Sequence, residues 1–331
     1  MFKRPLLIAE IGGNHQGDFG KAKELVNMAL ECEVDFIKLQ TYFADTLVEK
    51  TIAPDRWAHF KKFELPIDQH VELAEIITNQ GKNYLSSIWD IESYSYLAKY
   101  LTHVKIGSGD AVAFSFLEQA ALIGKPIILS TGLCTLNEVK SSIEIIRDIN
   151  PVYNLPDFLY VLQCTSMYPI PIEEANLNVM SEYRQFGCRV GYSDHTLGKF
   201  ALEVAALRGA EILEFHYTDN KENMSFRDHQ VSLVSQDIKE LNAFFDRVLE
   251  ACGSSDKKPS KSEIDNNHIQ SFRRGTYLKK NLCSGDIIQK EDIAEKRPVN
   301  NGLSYLELIG KRVNRDFRSG EFVLKEDVCK E

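Results

Sequence analysis

Leu6-Leu7-Ile8-Ala9-Glu10-Ile11-Gly12-Gly13-Asn14-His15-Gln16-Gly17 is the stretch on which the fold turns. Its first residues form an apolar, β-rich run that meets charge at Glu10. In a doubly wound open sheet that binds a dinucleotide, the turn after the first strand carries G-x-G-x-x-G. Here that turn lacks the spacing and instead sets a carboxylate, an amide and an imidazole at the strand's end. Seven more short runs follow, at 36–40, 84–87, 104–106, 126–130, 158–164, 188–193 and 212–216. Helical periodicity occupies 20–32, 68–80, 91–100, 115–123, 136–149, 173–184, 199–208 and 235–252. Eight such alternations in ~250 residues predict an α/β chain closed as a parallel (β/α)8 TIM barrel.

The chain has 331 residues, 44% apolar and 26% charged, which supports a full core and excludes wholesale disorder. A net charge of −9 argues against nucleic acid or an anionic membrane as the main partner. The first apolar run is too short for a signal peptide, and none approaches the ~18 residues of a membrane span. Cysteines at 32, 134, 164, 188, 252, 283 and 329 are odd in number and lack CxxC-like spacing. A reduced, cytoplasmic chain without a disulfide framework or structural zinc is expected. The barrel is expected over 1–252, a Gly-, Ser-, Lys- and Pro-containing linker over 253–271, and a small mostly-β module over 272–331. That module holds a near-repeat, 281–293 against 316–328, offset by 35 residues. Its Ser284-Gly285-Asp286 and Ser319-Gly320-Glu321 read as tight turns with Gly at positive φ.

Barrel chemistry sits at the C-terminal ends of strands. Those ends carry Glu10 with Asn14 and His15; Lys38 and Gln40; Ser86 and Ser87; Lys105, Ser108 and Asp110; Ser130 and Thr131. Beyond them come Gln163, Thr165, Ser166 and Tyr168; Ser193, Asp194 and His195; Glu214 and His216. One polar loop means little, but eight converging on one mouth predict a site. His195 and His216 end neighbouring strands, where two imidazoles can chelate one divalent ion and leave positions for water and substrate. Nitrogen and water ligands tolerate Mn2+, Mg2+ or Co2+ alike. Lys38 and Lys105 read either as a Schiff-base nucleophile or as cations for a carboxylate or phosphate. Ser108, Ser130 and Ser193, beside Gly107, Gly109, Gly132 and Gly191, supply hydroxyls and open N–H groups that suit an anion.

Ala9–Gly17, Lys38-Leu-Gln40-Thr41, Lys105-Ile-Gly-Ser108-Gly, Ile128-Leu-Ser130-Thr131-Gly132, Cys164-Thr165-Ser166-Met-Tyr168-Pro169, Tyr192-Ser193-Asp194-His195-Thr196 and Leu213-Glu214-Phe-His216 together resemble the sialic acid synthase family in order and spacing. The family comprises N-acetylneuraminate synthases and their legionaminate, pseudaminate and KDN relatives. Lys296-Arg297-Pro298 and Ile309-Gly310-Lys311 resemble its C-terminal SAF, or antifreeze-like, domain. The resemblance implies condensation of phosphoenolpyruvate (PEP) with an open-chain N-acylmannosamine-type sugar, releasing phosphate. It implies a metal, usually Mn2+, on His195 and His216, and Glu10 as the residue that steers or deprotonates the attacking water. PEP would lie on Lys38, Ser87, Lys105, Ser108, Ser130, Ser166 and Ser193. The sugar would meet Gln40, Asp110, Tyr168 and Asp228. It further implies a homodimer, with Arg297 reaching the partner's site.

Some positions depart from the family. Asp110 and Ser166 stand where many bacterial members have Glu and Asn. The third strand ends Ser86-Ser87-Ile88-Trp89 in place of Ser-Thr-Pro-Phe. Met224-Ser-Phe-Arg227-Asp228-His229 replaces Gly-Pro-Asp-His, and the loop after Pro298 lacks the usual glycine. Most of these positions face the sugar in this reading, so the acceptor is open: N-acetylmannosamine, its 6-phosphate, mannose or a diacetamido-trideoxy sugar. Two other readings compete, a Schiff-base pyruvate aldolase on the same barrel and a catalytically dead carbohydrate- or ice-binding protein.

Overall fold

The computed structural model describes residues 2–222, 224 and 226–329, with only the backbone of Ile91. The chain divides into two compact units, Met1–Gly253 and Ser254–Glu331. In the first, eight parallel strands close into a barrel in chain order: β1 (Leu6–Glu10), β2 (Phe36–Thr41), β3 (Asn83–Ile88), β4 (Val104–Ile106), β5 (Ile127–Ser130), β6 (Leu159–Cys164), β7 (Arg189–Asp194) and β8 (Ile212–His216). Around them run α1 (Phe19–Leu30), α2 (Ala44–Leu47), α3 (Pro54–Phe63), α4 (Ile67–Asn79), α5 (Ile91–Leu97), α6 (Phe114–Leu122), α7 (Leu136–Ile149), α8 (Val179–Tyr183), α9 (Phe200–Leu207), α10 (Arg227–Val231) and α11 (Ser235–Cys252).

Strand alternation builds the interior. Side chains two residues apart share a face, so Ile8, Phe36, Leu85, Ile128, Leu162 and Ile212 fill the lower barrel as one apolar cluster. Two residues further along each strand stand Glu10, Lys38, Ser87, Ser130, Cys164 and Glu214. Register then sets these ends side by side: Glu10 is level with Lys38 and with His216, Ser87 with Lys105, and Ser193 with Glu214. Gly191 lies where a Cβ would overlap the Ile212 carbonyl and side chain, so only glycine fits that rung.

Several features differ from the sequence reading. The helix expected over 173–184 is broken: a 3-10 turn at Ile172–Ala175 ends at Asn176, whose φ is 49°, before α8 begins. Asn176 stabilises the break by donating to the Glu174 carbonyl. The connection from β2 to β3 holds two helices, α2 and α3, that the periodicity reading passed over. The stretch read as a linker contains α12 (Lys261–Asp265) and α13 (His268–Phe272), the first capped reciprocally by Ser260 and Glu263.

Among its described residues the second unit has one antiparallel pair, β9 (Gly275–Leu278) with β10 (Ile293–Lys296), beside isolated bridges, turns and short helices that include α14 (Tyr305–Leu308), so it holds less strand than expected. Its core is Leu278, Leu282, Ile288, Ile293, Leu308, Val313, Phe317 and Val323. The sequence repeat folds as a pseudo-twofold. Leu282 and Phe317, counterparts in the repeat, exchange backbone hydrogen bonds of 3.0 and 2.8 Å. The Ser284 N–H donates to Asp316 and, symmetrically, the Ser319 N–H to Asn281. Gly285 and Gly320 turn at φ 95° and 92°. Asp292 and Asp327 each cap their own 3-10 turn, accepting from the Gln289 and Leu324 N–H at 3.0 Å.

Candidate active site

A cavity of about 1040 Å3 is lined by the strand ends of the barrel. Glu10, Lys38, Gln40, Ser87, Lys105, Ser108, Asp110, Ser130, Ser166, Tyr168, Ser193, His195, His216 and Asp228 all line it. The remaining residue of the sequence reading, Arg297, belongs to the second unit, where its Nε donates to the Phe272 carbonyl at 2.7 Å. Alternation explains which strand-end groups stay out of the cavity. Ser86 bonds Thr41, Thr131 donates to the Leu162 carbonyl, Gln163 to that of Ala175 and Thr165 to that of Glu174. His15 accepts the Gly17 N–H. Asn14 donates to the Tyr217 carbonyl and to Ser232, both at 2.9 Å, and Ser232 donates to the Asp228 carbonyl. It thereby ties the turn after β1 to the segment that carries Asp228. Within Met224–His229, Ser225 lies outside the described residues.

At the floor, two lysines and two carboxylates form a buried quartet. Lys38 pairs with Glu10 and, at 3.4 Å, with Glu214, and donates to Ser87 at 3.0 Å. Lys105 stands 3.4 Å from Glu214 and donates to Ser130 at 2.9 Å. The Gln40 amide donates to Glu10 Oε1 at 2.7 Å. Burial pushes the Glu10 carboxyl up to about 7 against the pull of Lys38. Burial would raise Glu214 too, but Lys105 and Lys38 flank it and hold it well below the usual carboxylate range. Burial alone would lower Lys38, but Glu10 and Glu214 outweigh it and keep the ammonium charged. Lys105 is shifted down by burial.

Hydroxyls ring the quartet. Ser108 accepts the Gly132 N–H at 2.9 Å, and a Cβ on Gly132 would overlap the Ser166 hydroxyl. Glycine at 132 is what lets these serines converge. Above them, the His195 and His216 rings lie 5.4 Å apart, both buried. Burial lowers both pKa values, so both are neutral imidazoles. His195 Nδ1 lies 2.8 Å from the Thr165 carbonyl; an oxygen that only accepts requires the proton on Nδ1 and leaves Nε2 its lone pair. His216 Nδ1 is buried without a hydrogen-bond partner. This donor pair fits a divalent ion. Among the described residues no group of three or more His, Cys, Asp or Glu side chains is arranged to hold a metal. Two imidazoles alone would leave positions open, as a catalytic rather than a structural ion requires.

Two parts of the cavity lay beyond the sequence reading. Glu214 was noted at its strand end but given no place in the site; its signal was its position two residues before His216, hence on the same face. The other is an aromatic rim in which Tyr42, Phe60 and Phe63 join Trp89 and Phe226, the last two lying in stretches that the sequence reading had already turned toward the sugar. Its signal was Pro54 followed by Trp57, Phe60 and Phe63 at helical spacing.

A closed (β/α)8 barrel whose mouth gathers paired acids, lysines and neutral imidazoles is that of a barrel enzyme. Residues 25–257 match the NeuB family model. The chain is 34% identical to the N,N'-diacetyllegionaminic acid synthase of Legionella pneumophila, over 97% of this chain and 94% of that one. It is 33% identical to the enzyme of the same name from Campylobacter jejuni, over 97% and 99%. A pseudaminic acid synthase of Campylobacter jejuni, over 98% of this chain and 97% of that one, and the human N-acetylneuraminate-9-phosphate synthase, over 97% and 91%, match at 30% identity. The crystal structure of the N-acetylneuraminic acid synthetase of Leptospira borgpetersenii superposes with a TM-score of 0.71 at 25% identity, over 81% of this chain and 92% of that one. The chain belongs to the NeuB family: it is an enzyme of the sialic and nonulosonic acid synthase superfamily, whose members are PEP-utilising transferases that condense with sugars. Among the described residues, no helix is long and apolar enough to cross a membrane.

Proposed function

We propose that this chain condenses PEP with an open-chain N-acylmannosamine-type sugar to form a nonulosonic acid and inorganic phosphate. The carrying observation is the pair of buried lysines, each bonded to a serine hydroxyl and facing two neutral imidazoles across one cavity. Lys38 and Lys105 offer charge-assisted bonds to the carboxylate and phosphate of PEP, with Ser87, Ser108, Ser130, Ser166 and Ser193 as neutral donors. His195 and His216 would hold a divalent ion, Mn2+ first and Mg2+ or Co2+ as alternatives, which supplies Lewis-acid polarisation of the sugar aldehyde. PEP C3 attacks the aldehyde carbon, the C=O π pair passes to the aldehyde oxygen, which takes up a proton to become a hydroxyl, and positive charge develops at C2. Glu10, fixed by Gln40 and Lys38, receives a proton from the water that adds there, and C–O cleavage follows as phosphate leaves. Lys38 is kept charged by two carboxylates, which suits an anion site and not an amine nucleophile.

In this reading Gln40, Asp110, Tyr168 and Asp228 bind the sugar. The second unit acts as a SAF-type module in a homodimer, bringing Arg297 to the partner's acceptor. A cytoplasmic setting suits the free thiols. The test is phosphate release from PEP. It is expected only with a hexosamine acceptor present, abolished by excess EDTA and restored by Mn2+. Sugar-independent release, or full activity in EDTA, overturns the reading or its metal site respectively.

A further inference from the structure

We infer that Glu214 is a positioning residue for the PEP site: its carboxylate bridges Lys38 and Lys105, one oxygen to each ammonium, and keeps both charged before PEP arrives; this rests on the synthase reading above. Oε1 lies 3.4 Å from Lys38 Nζ, and Oε2 lies 3.4 Å from Lys105 Nζ. None of the three side chains is more than 7% exposed, so water screens these pairs little.

Strand β8 fixes the carboxylate in that place. Ile212, two residues earlier on the same face, belongs to the apolar cluster of the lower barrel, and His216 stands two residues later. Ser130 on β5 donates to Oε2 at 3.4 Å, while Oε1 is buried and accepts no hydrogen bond among the described residues. What Oε1 offers Lys38 is therefore charge. The hydrogen bonds of the lysines go elsewhere. Lys38 donates to Ser87, and Lys105 donates to Ser130 and, at 3.1 Å, to the Ile106 carbonyl. An ammonium carries three N–H donors, so each lysine keeps at least one outside these bonds.

Lys105 depends on Glu214 more than Lys38 does, because Lys38 also pairs with Glu10. The titratable groups that face Lys105 are Glu214 on β8, Lys38 on β2, Glu10 on β1, Cys164 on β6 and Asp110 beyond β4. Burial lowers the Lys105 pKa. Glu214 opposes this most strongly, Lys38 adds to it, and Glu10 and Cys164 oppose it less. Without Glu214, a buried ammonium beside a second ammonium favours the neutral amine. PEP, which needs the cation, would then bind with uptake of a proton.

The experiment is calorimetric titration of PEP into the protein with Mn2+ present, in two buffers of different ionisation heat. It counts protons taken up and needs no acceptor sugar. At about pH 8.5, wild type is expected to bind PEP with almost no proton uptake. Glu214→Gln is expected to take up close to one proton, and its Kd for PEP to rise roughly tenfold relative to wild type between about pH 7.5 and 8.5. Glu214→Asp, which keeps the charge, should return uptake toward zero. Proton uptake by wild type overturns the inference, and that arm holds even if Glu214→Gln fails to fold. So does a Glu214→Gln chain that binds PEP as wild type does at both pH values, or equal uptake in Glu214→Asp and Glu214→Gln. Failure of wild type to bind PEP at all overturns the synthase reading instead.

Discussion

Lys105 is buried, bonded to Ser130, and shares Glu214 with Lys38. If it anchors PEP, Lys105→Met removes one charge-assisted contact worth about 1.5–3 kcal/mol, and KM for PEP should rise roughly ten- to a hundredfold. KM for the sugar should change far less; steady-state kinetics with each substrate varied separates the two. Glu10 offers a second test at this scale. Its carboxyl is raised to about 7 by burial, and a base acts only when ionised. Activity should therefore be lost as pH falls through about 7 and recovered as pH rises, seen as an acid limb in kcat/KM for PEP. A profile flat down to pH 5 would remove Glu10 as the group that titrates. Glu10→Gln keeps the amide contact to Gln40 within reach but cannot accept a proton, so kcat should fall steeply while the barrel stays folded.

Among the elements, the paired turns of the second unit carry the clearest energetic claim. Asp327 caps its own turn through the Leu324 N–H and holds Arg315 at 2.8 and 3.3 Å. Asp327→Ala leaves that N–H unpaired and should cost about 1–2 kcal/mol. Hydrogen exchange of peptides covering 310–329 in the intact chain would register it as lost protection, with barrel peptides unchanged. Arg315 also depresses the Asp327 pKa, so the folded unit favours the carboxylate. That contribution is present above the ordinary carboxyl pKa near ~4 and disappears as pH falls through the lower folded value. Substituting Asp327 should therefore flatten the acid sensitivity of those peptides. Equal protection loss in the mutant and wild type at every pH would show the cap to be idle.

For the whole molecule, the charge distribution matters first. A chain of net −9 gathers Lys38 and Lys105 with Glu10 and Glu214 at the floor of one cavity, and the proposed PEP site rests on those two ammonium groups and the serine hydroxyls around them. The proposed homodimer adds a test that only an assembly can pass. Mixing Arg297→Ala chains with Glu10→Ala chains gives heterodimers in which one mouth receives Glu10 from one subunit and Arg297 from the other. Activity well above either parent is expected if the site is shared. No gain, with heterodimers shown by mass, would confine Arg297 to its own subunit or remove it from the site.

Alternation within each strand is a local property, so it was legible in the chain. Ile8 before Glu10, Phe36 before Lys38, Leu85 before Ser87 and Ile212 before Glu214 already separate an apolar floor from a polar mouth. The 35-residue repeat likewise announced its pseudo-twofold, because equal turns at Gly285 and Gly320 demand equal backbone angles. Closure is not local. That Glu214 lies between Lys38 and Lys105 depends on β8 pairing back to β1, and no neighbouring residue encodes that distance. The break at Asn176 is local, an Asn at positive φ bonding the carbonyl two residues back, and it escaped because the apolar spacing runs through it; the seating of α3 escaped because it is set by rings after β3 and β8, far along the chain. Sequence alone determined which groups point into the barrel; tertiary structure decided which of them meet, because electrostatic pairing and aromatic packing act through space and not along the chain.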